Sequence, residues 1–281
     1  MHTVRIATAQ TPEFRRDIDA SLRYADQVVT QAAAHGVQLI CFPECFLQGY
    51  LLNEAEARRS AIDLASLEFQ SLLALLPSTD MIIIFGLIER SCGSLFNSAV
   101  IIQNGALMGR YRKKNFLKSE SFFASDAEMP MFEVDGLRFG VNICYDTNSP
   151  DIAKMIADQG GELIVCLANN MMPRERAEQY LHLHNAVRGE RCLEQGIWLV
   201  SSDIYGERDG RISWGPTAVI DPGGQVAAQL PLDEAGLLIF DVPVSSMQRL
   251  KRGRGAVRYL GAGKILTAPK TAIAKIRHLK C

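Results

Sequence analysis

Short apolar segments alternate with segments of helical periodicity along most of the chain, and this alternation constrains the fold more than any other feature. The strand-like runs are TVRIATAQ (3–10), VQLICFPE (37–44), MIIIFGLIE (81–89), LFNSAVII (95–102), RFGVNIC (138–144), ELIVCLAN (162–169), IWLVSSD (197–203), the hairpin pattern TAVIDPGGQVAAQ (217–229) and GLLIFDV (236–242). Helical spacing occupies residues 19–36, 54–76, 151–160 and 174–195. Such a mixture predicts the α/β class, with layers of helices on a mixed sheet.

Composition limits the function classes. Hydrophobic residues make up 48% of the 281 positions, enough for one large core, and no low-complexity linker divides the chain, so we expect one domain over residues 1–281. The net charge of −1 does not favour nucleic acid or a membrane surface. Seven irregularly spaced cysteines indicate a reducing compartment. The N-terminus MHTVRIATAQ shows no secretory signal, and the apolar runs are too short to span a bilayer, so a cytoplasmic protein is expected.

The C-terminal segment differs from the rest in its charge. After Asp241 the chain has no acidic residue but ten lysines and arginines, which defines a basic tail at about 245–281. A solvated or subunit-covering surface is the simpler interpretation. A surface for an anionic partner is the alternative.

Three reactive side chains follow apolar runs. Glu44 follows ICFP, Lys113 lies in GRYRKKNF, and Cys144 ends RFGVNIC. Each alone has an ordinary explanation, as a solvated turn, a charged face or a core cysteine. Together they meet the needs of one reaction, because a thiol requires a base to become a nucleophile and an ammonium can stabilise an oxyanion. The backbone N–H of Tyr145, next to the thiol, is a second oxyanion donor. The combination predicts acyl transfer through a thioester.

The order CFPE, YRK and ICYD resembles the nitrilase, or carbon-nitrogen hydrolase, superfamily, and ATAQ, LANN, RCLEQ and VIDPGGQV also match its pattern. The resemblance implies a four-layer α-β-β-α sandwich, with Glu44 as base, Lys113 as oxyanion-stabilising cation and Cys144 as nucleophile. It also implies no metal or organic cofactor, and a homodimer or higher homo-oligomer. Cys41 and Cys45 are four residues apart, but no second pair at zinc spacing accompanies them.

A second glutamate often stands between the lysine and the cysteine in this family. Glu120 in KSESFFASDAE is the best match, and Glu128 and Glu133 are poorer candidates. An additional carboxylate would offset the ammonium charge and fix its direction. Lys114 competes with Lys113, but on an extended segment only Lys113 shares a face with Tyr111, and the family spacing also selects it.

The departures from the family pattern concern the substrate. Asn115 and Phe116 stand where histidine and leucine are frequent, and residues 148–151 read NSPD rather than Arg-Phe-Pro-Glu. Tyr145, Tyr50, Asn148 and Met171 are the candidates for substrate contact. The sequence predicts hydrolysis of a small linear amide, with release of ammonia or an amine. N-carbamoyl amidohydrolase and nitrilase are alternatives, and a catalytically silent binding protein on the same fold is an alternative from another class.

Overall fold

The computed structural model describes residues 2–244 and the backbone of two further strands, residues 257–261 and 264–267. The predicted basic tail at about 245–281 therefore lies largely outside the described residues. The two strands within it were not expected, because the regular structure was predicted to end with the run at 236–242. Within the described part, no helix is long and apolar enough to cross a membrane.

Strands and helices follow one another in the order expected from the periodicity. The strands are β1 Thr3–Thr11, β2 Leu39–Cys41, β3 Ile82–Ser91, β4 Ser94–Gln103, β5 Ala106–Arg112, β6 Met131–Val134, β7 Leu137–Ile143, β8 Leu163–Leu167, β9 Met172–Pro173, β10 Trp198–Arg208, β11 Arg211–Trp214, β12 Ala218–Ile220, β13 Val226–Gln229, β14 Gly236–Pro243, β15 Val257–Gly261 and β16 Lys264–Thr267. The α-helices are α1 Ile18–Ala34, α2 Glu54–Ser60, α3 Leu67–Leu73, α4 Pro150–Asp158, α5 Arg174–Tyr180 and α6 His184–Gln195.

Two sheets form the centre of the molecule. The first has the order β5-β4-β3-β2-β1-β14-β15-β16, with β2 parallel to β1 and β3. The second is β6-β7-β8-β10-β12-β13, with β7, β8 and β10 parallel. A short parallel pairing of β1 with β10, at Gln10–Asp203 and Thr11–Ile204, joins them.

The strands are apolar on both faces because each sheet packs against the other sheet on one face and against helices on the other. In β1, Val4 and Ile6 pack into the core between the sheets, whereas Ala7 and Ala9 face a second core that includes residues of α1 and α3. A third core, with Ile156 of α4 and Cys192 of α6, covers the second sheet. The layers are thus helix, sheet, sheet and helix, which confirms the predicted sandwich. Strands buried on both sides have continuous apolar runs.

The two long predicted helices are each broken. Residues 54–76 give α2 and α3, because the backbone of Ile62 pairs with β3 instead: its N–H donates to the Ile88 carbonyl at 3.0 Å and its carbonyl accepts from Arg90. Ser66 then caps α3 by accepting the Phe69 N–H at 3.1 Å. Residues 174–195 likewise divide into α5 and α6, and α6 ends at Gly196 in the left-handed conformation.

Six strands of the described part were missed: β5, β6, β9 and β11, besides β15 and β16. In β5, most of the side chains are exposed or half-buried, and β5 lies at the edge of its sheet, so its polar sequence has no apolar periodicity. Similarly, β6 is an edge strand with only Val134 buried. The strand β5 matters for the site because Lys113 directly follows it.

Candidate active site

Three strand ends carry the reactive side chains predicted from the sequence. Glu44 lies in the loop after β2, Lys113 follows β5, and Cys144 follows β7. Backbone hydrogen bonds hold the Glu44 loop against both sheets: the Gly86 N–H of β3 donates to Pro43 O at 3.1 Å, and the Glu44 N–H donates to Ala168 O at 3.2 Å. The loop therefore occupies a fixed position between the two sheets.

Lys113 lies between two carboxylates in a fully buried cluster. Its Nζ donates to Glu44 Oε1 at 2.7 Å and to Glu120 Oε1 at 2.6 Å. The side chains of all three residues have 0% exposure. The other carboxylate oxygen of Glu120, Oε2, accepts a hydrogen bond from the Leu117 N–H at 2.8 Å, and this bond holds the side chain in place. These contacts account for two of the three donors of the ammonium, and the third can serve a substrate oxygen.

The two oxygens of Glu44 have different surroundings. Oε1 accepts from Asn97 Nδ2 at 2.8 Å as well as from Lys113. Oε2 is buried and has no hydrogen-bond partner among the described residues. Burial raises the pKa of Glu44, the Glu120 charge raises it further, and Lys113 opposes the shift. A carboxylate with one fixed and one unpartnered oxygen is suited to accept a proton.

The pKa of Lys113 is shifted in the direction that keeps it charged. Burial alone would lower this pKa, but Glu44, Cys144 and Glu120 outweigh burial and raise it above the ordinary lysine value. The ammonium is therefore a permanent cation in a site that excludes water. Electrostatic stabilisation of an oxyanion is strong under such conditions.

Cys144 has a strained backbone and a partly exposed side chain. Its φ is +47°, a conformation uncommon for a residue other than glycine. Burial and the Glu44 charge raise the pKa of the thiol well above its usual value, against the opposing effects of Lys113 and of the Asn169 backbone N–H. The resting sulfur is therefore a thiol, and nucleophilic attack requires a base to remove its proton.

The carboxylate of Asp146 connects the nucleophile turn to the lysine segment. Its Oδ2 accepts from the Ile143 N–H at 3.0 Å and from the Tyr111 hydroxyl at 2.8 Å. Its Oδ1 accepts from the backbone N–H groups of Lys114 at 3.1 Å and Asn115 at 2.8 Å. The turn that carries Cys144 is thereby fixed relative to Lys113, although the two residues belong to different sheets.

A buried polar chain extends from Cys144 into the second sheet. Asn170 Oδ1 lies 4.0 Å from Cys144 Sγ. Asp203 accepts from the Asn170 backbone at 3.1 Å and from its side-chain amide, and Arg188 lies 3.4 Å from the same carboxylate. Burial raises the pKa of Asp203 to about 7, although Arg188 and the N–H donors oppose this. The arrangement fixes the orientation of the Asn170 amide beside the thiol.

The other predicted residues differ in their relation to this cluster. Tyr50 is half-buried, and burial, together with the charges of Glu44 and Glu120, raises its pKa well above the usual tyrosine value. Met171 is buried and follows Asn170. The Tyr145 side chain is 40% exposed, which leaves its backbone N–H as the relevant group. Asn148 is exposed and donates to the Tyr145 carbonyl, and no described contact joins its side chain to Glu44, Lys113 or Glu120.

The competing candidates lie elsewhere. Glu128 and Glu133 are exposed, whereas Glu120 is buried against the lysine. The Lys114 ammonium donates to the Asp126 carbonyl and is only partly buried. Among the described residues, no three histidine, cysteine, aspartate or glutamate side chains are placed to hold a metal ion.

Sequence reasoning missed four polar residues of the site, Asn97, Asp146, Asn170 and Asp203. Two signals could have identified them. Asn97 and Asp203 are polar positions within apolar strand-like runs, and buried polar groups are costly unless they are hydrogen-bonded. Asp146 and Asn170 stood inside the quoted motifs ICYD and LANN, where only the neighbouring residues were considered.

Comparison with known proteins identifies the family. The family model described as carbon-nitrogen hydrolase matches residues 5–252. The chain belongs to the carbon-nitrogen hydrolase family. Its relatives include a nitrilase from Pyrococcus abyssi, 26% identical over 88% of this chain and 93% of the relative, and an (R)-stereoselective amidase from a Pseudomonas species, 27% identical over 87% and 86%. Amidase and nitrilase relatives of this family support carbon-nitrogen bond hydrolysis as the general activity.

Solved structures of an amidase and of an NAD+ synthetase share the fold. An amidase from Nesterenkonia matches with a TM-score of 0.73 at 23% identity, covering 85% of this chain and 90% of that one. The glutamine-dependent NAD+ synthetase of Acinetobacter baumannii matches with a TM-score of 0.76 at 22% identity, over 89% of this chain but only 49% of that longer protein. The Nesterenkonia enzyme has also been solved with the acetamide moiety of fluoroacetamide added covalently at its active-site cysteine.

Proposed function

We propose that this hydrolase cleaves the carbon-nitrogen bond of a small linear amide through a thioester on Cys144. The observation that carries the proposal is the buried Lys113 ammonium held by Glu44 and Glu120, with Glu44 Oε2 unpartnered among the described residues. Glu44 and Lys113 are also near enough to Cys144 to shift its pKa. Base, cation and nucleophile therefore have a common location.

In the first half-reaction, Glu44 takes the thiol proton and the sulfur attacks the amide carbonyl carbon. A carbon-sulfur bond forms, and the carbonyl electron pair moves to oxygen, which accepts hydrogen bonds from Lys113 and from the Tyr145 backbone N–H. The tetrahedral intermediate then collapses. The carbon-nitrogen bond breaks, Glu44 returns its proton to the leaving nitrogen, and ammonia or an amine departs.

In the second half-reaction, Glu44 takes a proton from water as the water oxygen attacks the thioester. The same donors hold the second oxyanion. Collapse breaks the carbon-sulfur bond, the sulfur regains a proton from Glu44, and the acid is released. Each step uses only the side chains described and water.

The covalent adduct at the active-site cysteine of the Nesterenkonia amidase is consistent with this role for Cys144. N-carbamoyl compounds and nitriles remain as alternative substrates. Carbamoyl cleavage releases carbon dioxide with ammonia, and plain amide cleavage does not. A nitrile gives the same acid and ammonia as the amide, so it is distinguished by assaying it as a substrate. A catalytically silent binding protein has no need for a base, a cation and a thiol together, so this alternative has less support.

The proposal is tested by acyl transfer to hydroxylamine from a panel of short amides, with ammonia and hydroxamate as the two readouts. A thioester intermediate predicts both products from the native enzyme and neither above background from Cys144→Ala. The variant Cys92→Ala is the matched control, because Cys92 is an exposed thiol in the turn between β3 and β4. Substantial turnover by Cys144→Ala would refute the assignment.

The proposed cellular setting is the cytoplasm, and the proposed assembly is a homodimer or larger homo-oligomer. The setting is supported by the six unpaired cysteines among the described residues, since unpaired thiols are typical of reducing compartments. The assembly is expected from the family resemblance.

A further inference from the structure

A small pocket rich in arginine lies beside the catalytic cluster. Its volume is about 230 Å³. The residues that matter for its chemistry are Arg15, Tyr50, Met171, Arg208, Asp209 and Arg211. Neither the family match nor the proposed reaction requires a cationic pocket at this position.

Two residues connect the pocket to the catalytic cluster. Tyr50 lines the pocket and lies near enough to the Glu44 and Glu120 carboxylates for their charges to raise its pKa. Met171 lines it too, and its neighbour Asn170 lies 4.0 Å from the Cys144 sulfur. The carbonyl of Met171 accepts from Arg211 Nη1 at 3.5 Å. A linear substrate attacked at Cys144 can therefore extend past these two side chains into the pocket.

The charges around the pocket do not balance. Glu13 pairs with Arg208 at 2.6 Å, and Asp209 is shared between Arg208 at 3.1 Å and Arg15 at 3.3 Å. Arg15 also lies 3.7 Å from Glu56, a carboxylate that it shares with Arg16. Arg211 has no carboxylate within 4.0 Å among the described residues. The chain has no Asp or Glu after Asp241, so the undescribed C-terminal residues offer no acidic side chain either. One positive charge is thus in excess.

A second donor in the pocket also lacks an acceptor. Arg15 Nε is buried and has no hydrogen-bond partner among the described residues. Buried donors of this kind are costly when they lack an acceptor, which a ligand can supply. Glu56 Oε2 lies 3.7 Å from Arg15 Nη2, which is beyond hydrogen-bond distance. One surplus charge and a small volume match a carboxylate better than a phosphate, which carries about −1.5 to −2 charges at neutral pH.

We propose that the substrate is an amide with a carboxylate at the end remote from the scissile bond, and that Arg211, assisted by Arg15, binds this carboxylate. This inference rests on the proposed amide hydrolysis, because the pocket is assigned to the same substrate. Guanidinium groups are suited to the role, since they present several donors in a planar arrangement that matches a carboxylate.

The test compares monoamides of succinic, glutaric and adipic acid with butyramide, valeramide and hexanamide, with ammonia release as the readout. For at least one chain length, we expect kcat/KM for the acid to exceed that of the neutral partner by about 10- to 100-fold, as for a charge-assisted hydrogen bond. Arg211→Met should bring this ratio close to one, mainly through KM for the acid, and Arg211→Lys should retain part of it.

Arg174→Met is the matched control, because Arg174 is an exposed arginine that pairs with Glu207 and does not line the pocket. This variant also removes one positive charge near the pocket, and it should leave the ratio of kcat/KM between the acid and its neutral partner unchanged. A phosphonate-terminated amide serves as the other anion, and a preference for it over the carboxylates would overturn the assignment to a carboxylate.

Two further outcomes overturn the inference in different ways. If ammonia is released but the native enzyme shows no preference for the acids, or Arg211→Met keeps the preference, the pocket assignment is wrong and the proposed function stands. If no amide yields ammonia or hydroxamate, the proposed function fails, and the inference fails with it.

Discussion

The two carboxylate oxygens of Glu44 have different roles, one in positioning the side chain and one in the proposed reaction. Its Oε1 accepts two hydrogen bonds that hold it in place, and its Oε2 has no partner among the described residues. The sequence identified Glu44, Lys113 and Cys144 through the short motifs that surround them. It did not identify Asn97, because the role of an asparagine in an apolar strand becomes visible only when the strand lies beside the Glu44 loop.

At this scale, Glu120→Gln should change the pH dependence of the reaction. Burial and the Glu120 charge raise the pKa of Glu44, so the acidic limb of the kcat/KM profile should lie above the ordinary glutamate value of about 4.3. Removing the Glu120 charge removes one cause of the increase and leaves Lys113 paired with Glu44 alone. Both effects favour the charged carboxylate, so the limb should move to lower pH.

The same variant should lower kcat by about tenfold or more, because Lys113 loses one of the two carboxylates that orient it. A pH series of kcat/KM and kcat on a single amide measures both effects. Glu128→Gln, at an exposed glutamate, is the control and should change neither. A limb that stays in place or moves to higher pH would contradict the assigned coupling between Glu120 and Glu44.

Among the elements, β3 determines where the Glu44 loop can lie. Gly86 of β3 approaches this loop so closely that an added Cβ would lie 2.4 Å from Cys45 N and 2.7 Å from Pro43 O. Both atoms belong to the backbone, so they cannot be displaced by a side-chain rotation. The absence of a side chain at position 86 therefore permits this placement of Glu44, the proposed base.

Gly86→Ala should consequently displace Glu44 and lower kcat/KM by about 10- to 100-fold, even at temperatures where the variant remains folded. Circular dichroism and ammonia release, measured together, separate misplacement from unfolding. Gly93→Ala is the matched control in the adjoining turn, where an added Cβ has no atom within 4 Å although φ is +80°. Equal activity of the two variants would show that the close approach at Gly86 is unimportant.

The elements also show what limits prediction from sequence. The strands β1, β2 and β3 were predicted because both of their faces are buried and their runs are apolar. The edge strand β5 was missed because a solvent-facing strand lacks that signal, although it places Lys113. The break between α2 and α3 was missed because the pairing of Ile62 with β3 is a tertiary contact that local periodicity does not contain.

For the whole molecule, three exposed apolar side chains lie on or beside the neighbouring helices α4 and α6. Leu193 of α6 is 65% exposed, Leu183 before it 46%, and Met155 of the adjacent α4 36%. Exposed apolar groups of this kind are typical of subunit contacts. They agree with the expectation, drawn from the family resemblance, that the protein is at least a homodimer, and we propose α4 and α6 as the face for the second copy.

Leu193→Glu should therefore shift the protein towards monomer in sedimentation velocity, because it places a charge in the proposed contact. Leu67→Glu is the matched control, since Leu67 is 79% exposed on α3, in the opposite helical layer. The control should leave the sedimentation coefficient unchanged. A native protein that remains monomeric at high concentration would count against the assembly altogether.

The catalytic cluster draws on both sheets, with Glu44 and Lys113 beside the first and Cys144 at the end of a strand of the second. During synthesis, the base and the cation leave the ribosome before the sulfur does. In the proposed mechanism, neither sheet alone can hydrolyse a substrate, because each lacks part of the cluster. In refolding from denaturant, the return of ammonia release should consequently coincide with the docking of the sheets and lag behind the recovery of secondary structure.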